Sequence, residues 1–289
     1  MNFFQIIDQL SEVDPDVLDR FDSRRAVFSS LGKVARKSAL AATPLFLSAL
    51  FQKAYAGTTS TATDILQYAL TLELLEQDFY KKVIASAPFA GTAAANQAAI
   101  NQIKKHEDSH VALLNTAISG LGGKPITGIT FKAATFKSLA DFPAQLRVAQ
   151  LLEDTGVRAY KGRAVELLGT ALLTTALQIH SVEARHAAHI RLLRGQRAWV
   201  SITNDDLATD PTYGSGVSGP TSTATPFGYG IPAYTTASPT ESNVTQSNLP
   251  IPTAFTNQYN PEDAAAAFDE YLQAAEVLDA SRAGGLAGA

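Results

Sequence analysis

The sequence predicts an all-α protein: a four-helix bundle over residues 57–200, with a long crossover between its second and third helices and an irregular C-terminal extension. Three observations carry this reading. Between residues 64 and 198 the apolar residues recur with a helical period in four stretches. The connections inside the first pair and inside the second pair of stretches are short, which makes each pair a hairpin of antiparallel neighbours. The connection between the pairs is about twenty residues, long enough to cross the length of a bundle.

The elements follow in order. DILQYALTLELLEQDFYKKVIASA opens with Asp64 as the expected N-cap, with Gln67 three residues on, and stops before Pro88. A second helix is expected from about Asn96 to Leu121, ended by Gly122 and Gly123. GGKPITGITFKAATFKSLADF carries Gly, Pro and Thr and no helical period, so it reads as the crossover. A third helix can start at Pro143, a favoured first-turn position, and run to about Leu168. Gly169 and Thr170 then allow a break before ALLTTALQIHSVEARHAAHIRLLRG, the fourth. Residues 201–260 are rich in Thr, Ser, Pro and Gly and form no regular core. Tyr213, Phe227, Tyr229 and Tyr234, spaced through that segment, favour its being laid over the bundle. In residues 261–289 one or two short helices are expected, whose Phe268, Leu272 and Leu278 need a surface to cover.

Bulk composition narrows the function classes. The chain has 289 residues, 46% of them hydrophobic, so a large core is feasible, and its net charge of −4 argues against nucleic acid as a partner. It has no cysteine, so any metal must be held by His, Asp and Glu. No apolar run reaches about 18 residues, the length an ordinary membrane span needs.

Residues 1–56 read as a leader. SRRAVFSSLGKVARK is basic and contains Arg24–Arg25; the apolar SALAATPLFLSALF follows, and then Ala54–Tyr55–Ala56. Basic, apolar, then A-x-A is the order of a secretory signal, and the twin arginine points to the route that exports folded proteins. The expected location is therefore outside the cytoplasm, in the periplasm or cell envelope, with membrane contact only through this segment if it is retained. An amphipathic helix belonging to the fold is the competing reading.

The chemistry lies in two E-x-x-H motifs. Glu107 and His110 share a helix face, and Ile100, Ile103, Val111 and Leu114 flank Glu107 at one and two turns, which sets the acid inside the apolar stripe. Glu183 and His186 repeat this on the fourth helix, with Ala176, Ile179, Ala187 and Ile190 at the same offsets. The first and third helices match in turn: LELLEQDFYKK from Leu72 aligns with LEDTGVRAYKG from Leu152, pairing Glu73 with Glu153 and Tyr80 with Tyr160. The chain thus reads as a duplicated hairpin carrying E…E-x-x-H twice. Four carboxylates aimed at one core cost many kcal/mol by repulsion and desolvation unless cations cancel them. Two divalent ions would do so, with two glutamates bridging and one His completing each shell. Carboxylate and imidazole suit Fe and Mn and permit Zn.

These residues resemble the ferritin-like superfamily of di-iron and di-manganese carboxylate proteins, built on a Glu from each of two helices and Glu-x-x-His from the other two. LTLELLEQDFY (70–80) and LEDTGVRAY (152–160) look more narrowly like exported bacterial ferritin-like proteins related to plant desiccation-associated proteins. The resemblance implies Glu73, Glu107, His110, Glu153, Glu183 and His186 as ligands of two metal ions, Fe or Mn. It also implies redox chemistry on O2, peroxide or Fe(II), so a small oxidant or metal ion as substrate, and it is compatible with a homo-oligomer.

Each residue has a plainer explanation beside the functional one. E-x-x-H occurs on exposed helices as a surface pair. Glu73 competes with Glu76, one turn on; the repeat favours Glu73, because Gly156 stands where Glu76 would be matched and leaves space beside a metal pair. Glu76 is a candidate extra ligand. Tyr80 and Tyr160 either hydrogen-bond the ligating carboxylates or are core residues. His106 and His189 face Val182 and Leu113 across the repeat and, like His180, are expected in supporting roles. Arg158 and Arg163 are expected to be solvated. The rival to a redox protein is a structural or stress-protective one whose bundle is braced by metal or has none. Iron storage would need a hollow shell, which the leader and the long C-terminal extension disfavour.

Overall fold

The computed structural model describes residues 61–207, 238, 243–246, 249–255, 258–279 and 282–288. The leader, with Arg24, Arg25 and Ala54–Ala56, lies outside the described residues, as do Tyr213, Phe227, Tyr229 and Tyr234. Four long helices make the bundle: α1 (Ala62–Ile84), α2 (Ala94–Gly120), α3 (Phe142–Ala164) and α4 (Ala171–Leu193). Among the described residues no helix is long and apolar enough to cross a membrane.

The helix ends follow local chemistry. α1 starts three residues earlier than its first acid suggests: Thr61 is the N-cap, and Asp64 closes a capping box from the third helical position. Thr61 Oγ1 accepts from the Asp64 amide at 3.1 Å while Asp64 Oδ2 accepts from the Thr61 amide at 2.9 Å. α2 stops at Leu121, and the Gly123 amide bonds back to Ile118 O at 2.9 Å. Asp141 caps α3 through the Ala144 amide, with Pro143 in the first turn as expected. A single 3₁₀ turn, Val165–Leu167, follows α3.

α1 packs chiefly on α2, and α3 on α4; the two hairpins then meet through α1 with α3 and α2 with α4. Leu75, Phe79, Ile100, Leu152 and Ile190 lie in the shared core. The crossover is less irregular than its composition suggests, for it holds a short strand, Thr130–Phe131, and a five-residue helix, Ala133–Lys137. Phe131 is buried against Phe79, with ring centroids 5.0 Å apart, which fixes the crossover to the outside of α1.

The C-terminal region closes over this frame. Short helices span Ile251–Ala254, Pro261–Ala266, Ala274–Val277 and Ala283–Leu286, more pieces than the sequence indicates. Ala287–Gly288 pairs antiparallel with the crossover strand, in the register Thr130↔Gly288 and Phe131↔Ala287. Leu272, Val277 and Leu278 are buried as an apolar stripe requires, whereas Phe268 stays 40% exposed at the edge of a cavity lined by Val157 and Ala187. Residues 270–272 lie directly on α3: the Leu272 amide donates to Arg158 O at 3.1 Å and Arg158 Nε donates to Glu270 O at 3.2 Å. Arg158 is therefore wholly buried and not solvated, because a segment more than a hundred residues away covers it. Arg163 is buried too, paired with Glu166 at 2.8 Å and set 5.2 Å over the Tyr68 ring.

This close approach needs Gly162. A Cβ there would fall 1.9 Å from Leu272 O and 2.9 Å from its carbonyl carbon. Helix propensity alone would reward Gly162→Ala by about 1 kcal/mol, but the clash with backbone reverses the sign. The variant is expected to be destabilised by about 1–3 kcal/mol. Thermal unfolding checks this, and a more stable variant would mean that residues 270–272 do not lie on α3.

Candidate metal centre

Five glutamates point into the bundle at mid-height. Glu73 and Glu76 come from α1, Glu107 from α2, Glu153 from α3 and Glu183 from α4, and none is more than 2% exposed. His110 and His186 join them from α2 and α4, both buried. The apolar frames read in the sequence explain this placement: Ile100, Ile103, Val111 and Leu114 on α2, with Ile179, Ala187 and Ile190 on α4, are buried and carry the acids inward with them.

The donor atoms fall into two groups. His110 Nδ1 lies 3.1 Å from Glu73 Oε2, 3.3 Å from Glu107 Oε2 and 3.1 Å from Glu183 Oε1. His186 Nδ1 lies 3.0 Å from Glu107 Oε1, 3.1 Å from Glu153 Oε2 and 3.7 Å from Glu183 Oε2. In each group the four ligand atoms are all within 4.8 Å of one another. Glu107 and Glu183 belong to both groups and give one oxygen to each. One imidazole nitrogen carries one proton at most and cannot satisfy three acceptors. Accordingly Glu107 Oε1 and both Glu183 oxygens are buried without a hydrogen bond, although each sits near an imidazole. Buried orphan acceptors are costly. Three carboxylate oxygens and a nitrogen converging on a common centre is the donor set of a cation site.

Electrostatics describe what protons must do in the absence of a cation. Burial, together with the Glu183 charge, pushes Glu107 well above the carboxylate range, and Glu76 rises for the same two reasons. Burial also lifts Glu153, to about 7, against the pull of His186. Burial pulls His110 down, but its contacts with Glu107, Glu183 and Glu73 overcome this and push it up to about 12. His186 is raised in the same way, with the Glu153 charge as its main support. Glu183 is held at about 2 despite its burial. Its oxygens accept no aligned hydrogen bond, so the cause is the charge of the two rings beside it. Two imidazolium rings and shared protons thus supply positive charge to this acidic interior.

The surroundings hold the outer glutamates in place. Tyr80 OH donates to Glu153 Oε1, and Tyr160 OH donates to Glu73 Oε1 at 2.5 Å. Each tyrosine therefore serves the glutamate of the other hairpin, a crossing that repeat alignment alone does not show. Burial raises both phenols well above their ordinary pKa and keeps them as donors. Gly156 does leave room: a Cβ there would stand 3.3 Å from Glu76 Oε1 and 3.5 Å from Glu183 Oε2. Glu76 fills that room but belongs to neither four-atom group. His180 Nδ1 bonds the Val157 carbonyl at 3.0 Å, His189 is exposed, and His106 reaches the ring of His186.

One buried network was missed from sequence. Arg191 on α4 grips Asp154 with two hydrogen bonds of 2.6 and 2.7 Å and donates from Nε to Asp205 at 2.8 Å. Gln150 also donates to Asp205, at 2.9 Å. Asp154 follows Glu153 directly, so this network fixes the outward face of α3 beside the centre. Its signal was the acid pair Glu153–Asp154, but Asp205 lies beyond the bundle and no helical period links it to the helices.

Comparison with known proteins supports the helical-bundle fold. Residues 61–196 match a family model described as a ferritin-like domain. No curated protein matches the chain.

Proposed function

Because residues 61–196 are a ferritin-like domain, we propose that Glu73, Glu107, His110, Glu153, Glu183 and His186 hold two redox-active divalent ions, Fe or Mn. The observation that carries this reading is the sharing of Glu107 and Glu183 between two otherwise separate four-atom groups. The donor set fits: oxygens and imidazole with no thiolate, four carboxylates against four positive charges, and orphan oxygens that a cation would satisfy.

Such a pair of ions supplies one-electron steps between M(II) and M(III) for reaction with O2, peroxide or Fe(II). The chain's own part is to hold and shield. Glu107 and Glu183, each with an oxygen in both groups, would be shared by the two ions, while Glu73 with His110 and Glu153 with His186 would hold one ion each. Tyr160 and Tyr80 orient Glu73 and Glu153 by donating to the oxygen turned away from the imidazole. Glu76 lies outside both four-atom groups, and burial with the Glu183 charge pushes its carboxyl well above the usual carboxylate range. Leu75, Ile100, Leu152 and Ile190 keep bulk water from the interior. We place this activity outside the cytoplasm, on the strength of the Arg24–Arg25 leader, with the metals loaded before export.

Tyr160→Phe is expected to weaken binding on the Glu73 side about 10–100-fold, and Tyr80→Phe to do the same on the Glu153 side. Metal titration of the chelated protein checks both. Turnover is tested by consumption of O2 or hydrogen peroxide, and by oxidation of added Fe(II), using the metal-loaded protein. Two bound metals without any turnover would replace this reading by the bracing one. The C-terminal segment laced across α3 and the crossover favours that second reading, since it ties the bundle together from outside.

A further inference from the structure

The duplicated hairpin makes the two halves of the centre near-copies, yet the symmetry is broken at Glu76, matched by Gly156, and again at His106. His106 Nδ1 lies 2.9 Å from His186 Nε2, and the far nitrogen of His106 lies 2.7 Å from the Gln102 amide. The two rings are within 8° of coplanar, with centroids 5.1 Å apart. That is the spacing of imidazoles joined edge to edge by one N–H···N bond, not of rings stacked face to face. His110 has no equivalent: the residue matching His106 in the repeat is Val182, and among the described residues nothing hydrogen-bonds His110 Nε2.

Resting on the di-metal reading above, we propose that His106 is a positioning residue for the Glu153–His186 half of the centre and makes the two metal positions unequal. His186 Nδ1 faces the carboxylates, and its Nε2 faces His106. With the Nδ1 lone pair engaged by a cation, His186 carries its proton on Nε2 and donates it to His106 Nδ1. The His106 proton then sits on its own Nε2, where the Gln102 amide nitrogen stands 2.7 Å away, so that amide turns over to accept the proton through its oxygen. The contact with His106 therefore holds the ring plane of His186 before metal arrives, and the His106 Nδ1 acceptor keeps the His186 proton on Nε2 once it does. A ligand oriented in advance binds tighter, and hydrogen-bond donation from its far nitrogen makes it more electron-rich. His110, whose Nε2 has no acceptor among the described residues, adopts its tautomer on binding. The Glu153–His186 side is the one that fills first.

The test is Mn(II) titration of chelated, full-length protein, followed by the EPR signal of unbound Mn(II). Two separate binding steps are expected. His106→Val, which copies the residue of the other half, should weaken the tighter step about 10–100-fold and leave the other in place. The weakened step should be the one that Glu153→Gln abolishes. His106→Gln offers a carbonyl oxygen to the same N–H and should recover most of the loss, which mere packing would not do. Helical circular dichroism identifies any variant that has lost its fold. Binding constants unchanged in His106→Val, or a loss confined to the step that Glu73→Gln abolishes, would overturn the inference and leave the metal centre standing. No Mn(II) binding by the unaltered protein would overturn both.

Discussion

Glu183→Gln is expected to abolish the binding of both metals, while Glu73→Gln and Glu153→Gln each abolish one. The difference follows from which oxygens go where. Glu183 lies 3.1 Å from His110 Nδ1 through Oε1 and 3.7 Å from His186 Nδ1 through Oε2, so it serves both groups. Glu73 meets only the His110 group and Glu153 only the His186 group. Glutamine keeps the volume and removes the charge and one acceptor. A site that loses a bridging carboxylate also loses the neutralisation that let two cations sit side by side. Elemental analysis after loading and desalting should give about two ions per chain for the native protein, about one for either single-sided variant and none for Glu183→Gln. Equal losses in all three variants would mean the carboxylates do not divide as the distances indicate.

Removing metal should destabilise the protein, and increasingly so as pH rises. At a free metal concentration of a thousand times Kd, binding contributes about 4 kcal/mol per site. The metal-free state depends on protons in its place. His110 has a folded pKa of about 12, above its unfolded value, so its contribution is complete below about 6.5 and is lost as pH climbs toward 12. Glu153, raised to about 7, favours the fold when protonated; its contribution is complete below about 4.5 and gone above 7. Glu183, held at about 2, acts in the other direction and stabilises only above that value, failing as pH falls through it. Metal-free protein should accordingly be most stable in mild acid and lose stability steadily into the alkaline range. Loaded protein should not, because the cations displace those protons and bind more tightly as pH rises. Thermal melts with and without chelator from pH 5 to 9 should show a gap that widens upward. A constant gap would contradict the proton bookkeeping.

Most of the bundle was legible because each half repeats the same instruction. An acid with apolar residues one and two turns away on both sides cannot face water without exposing them, and Glu107 and Glu183 share that frame. The repeat also set Glu73 apart from Glu76, and the structure puts Glu73 in a four-atom group and Glu76 in neither, facing Gly156. What could not be read was contact between distant segments. The crossing of Tyr80 to Glu153 and of Tyr160 to Glu73 depends on how the hairpins face each other, which an alignment of one against the other leaves undetermined. Arg158 looked solvated because the helical period reports only its own helix, and residues 270–272 cover it from elsewhere. Thr61 was passed over as the cap of α1 because Asp64 is an equally good capping residue by type; backbone geometry decides between them. Asp205, the partner of Arg191, falls outside every periodic segment.

Anomalous diffraction from crystals of the Mn- or Fe-loaded protein, collected at the matching absorption edge, tests the central claim most directly. Two peaks per chain are predicted inside the bundle, one beside His110 and one beside His186, with Glu107 and Glu183 between them. A single peak at saturating metal, no peak, or peaks lying away from these six side chains would contradict it.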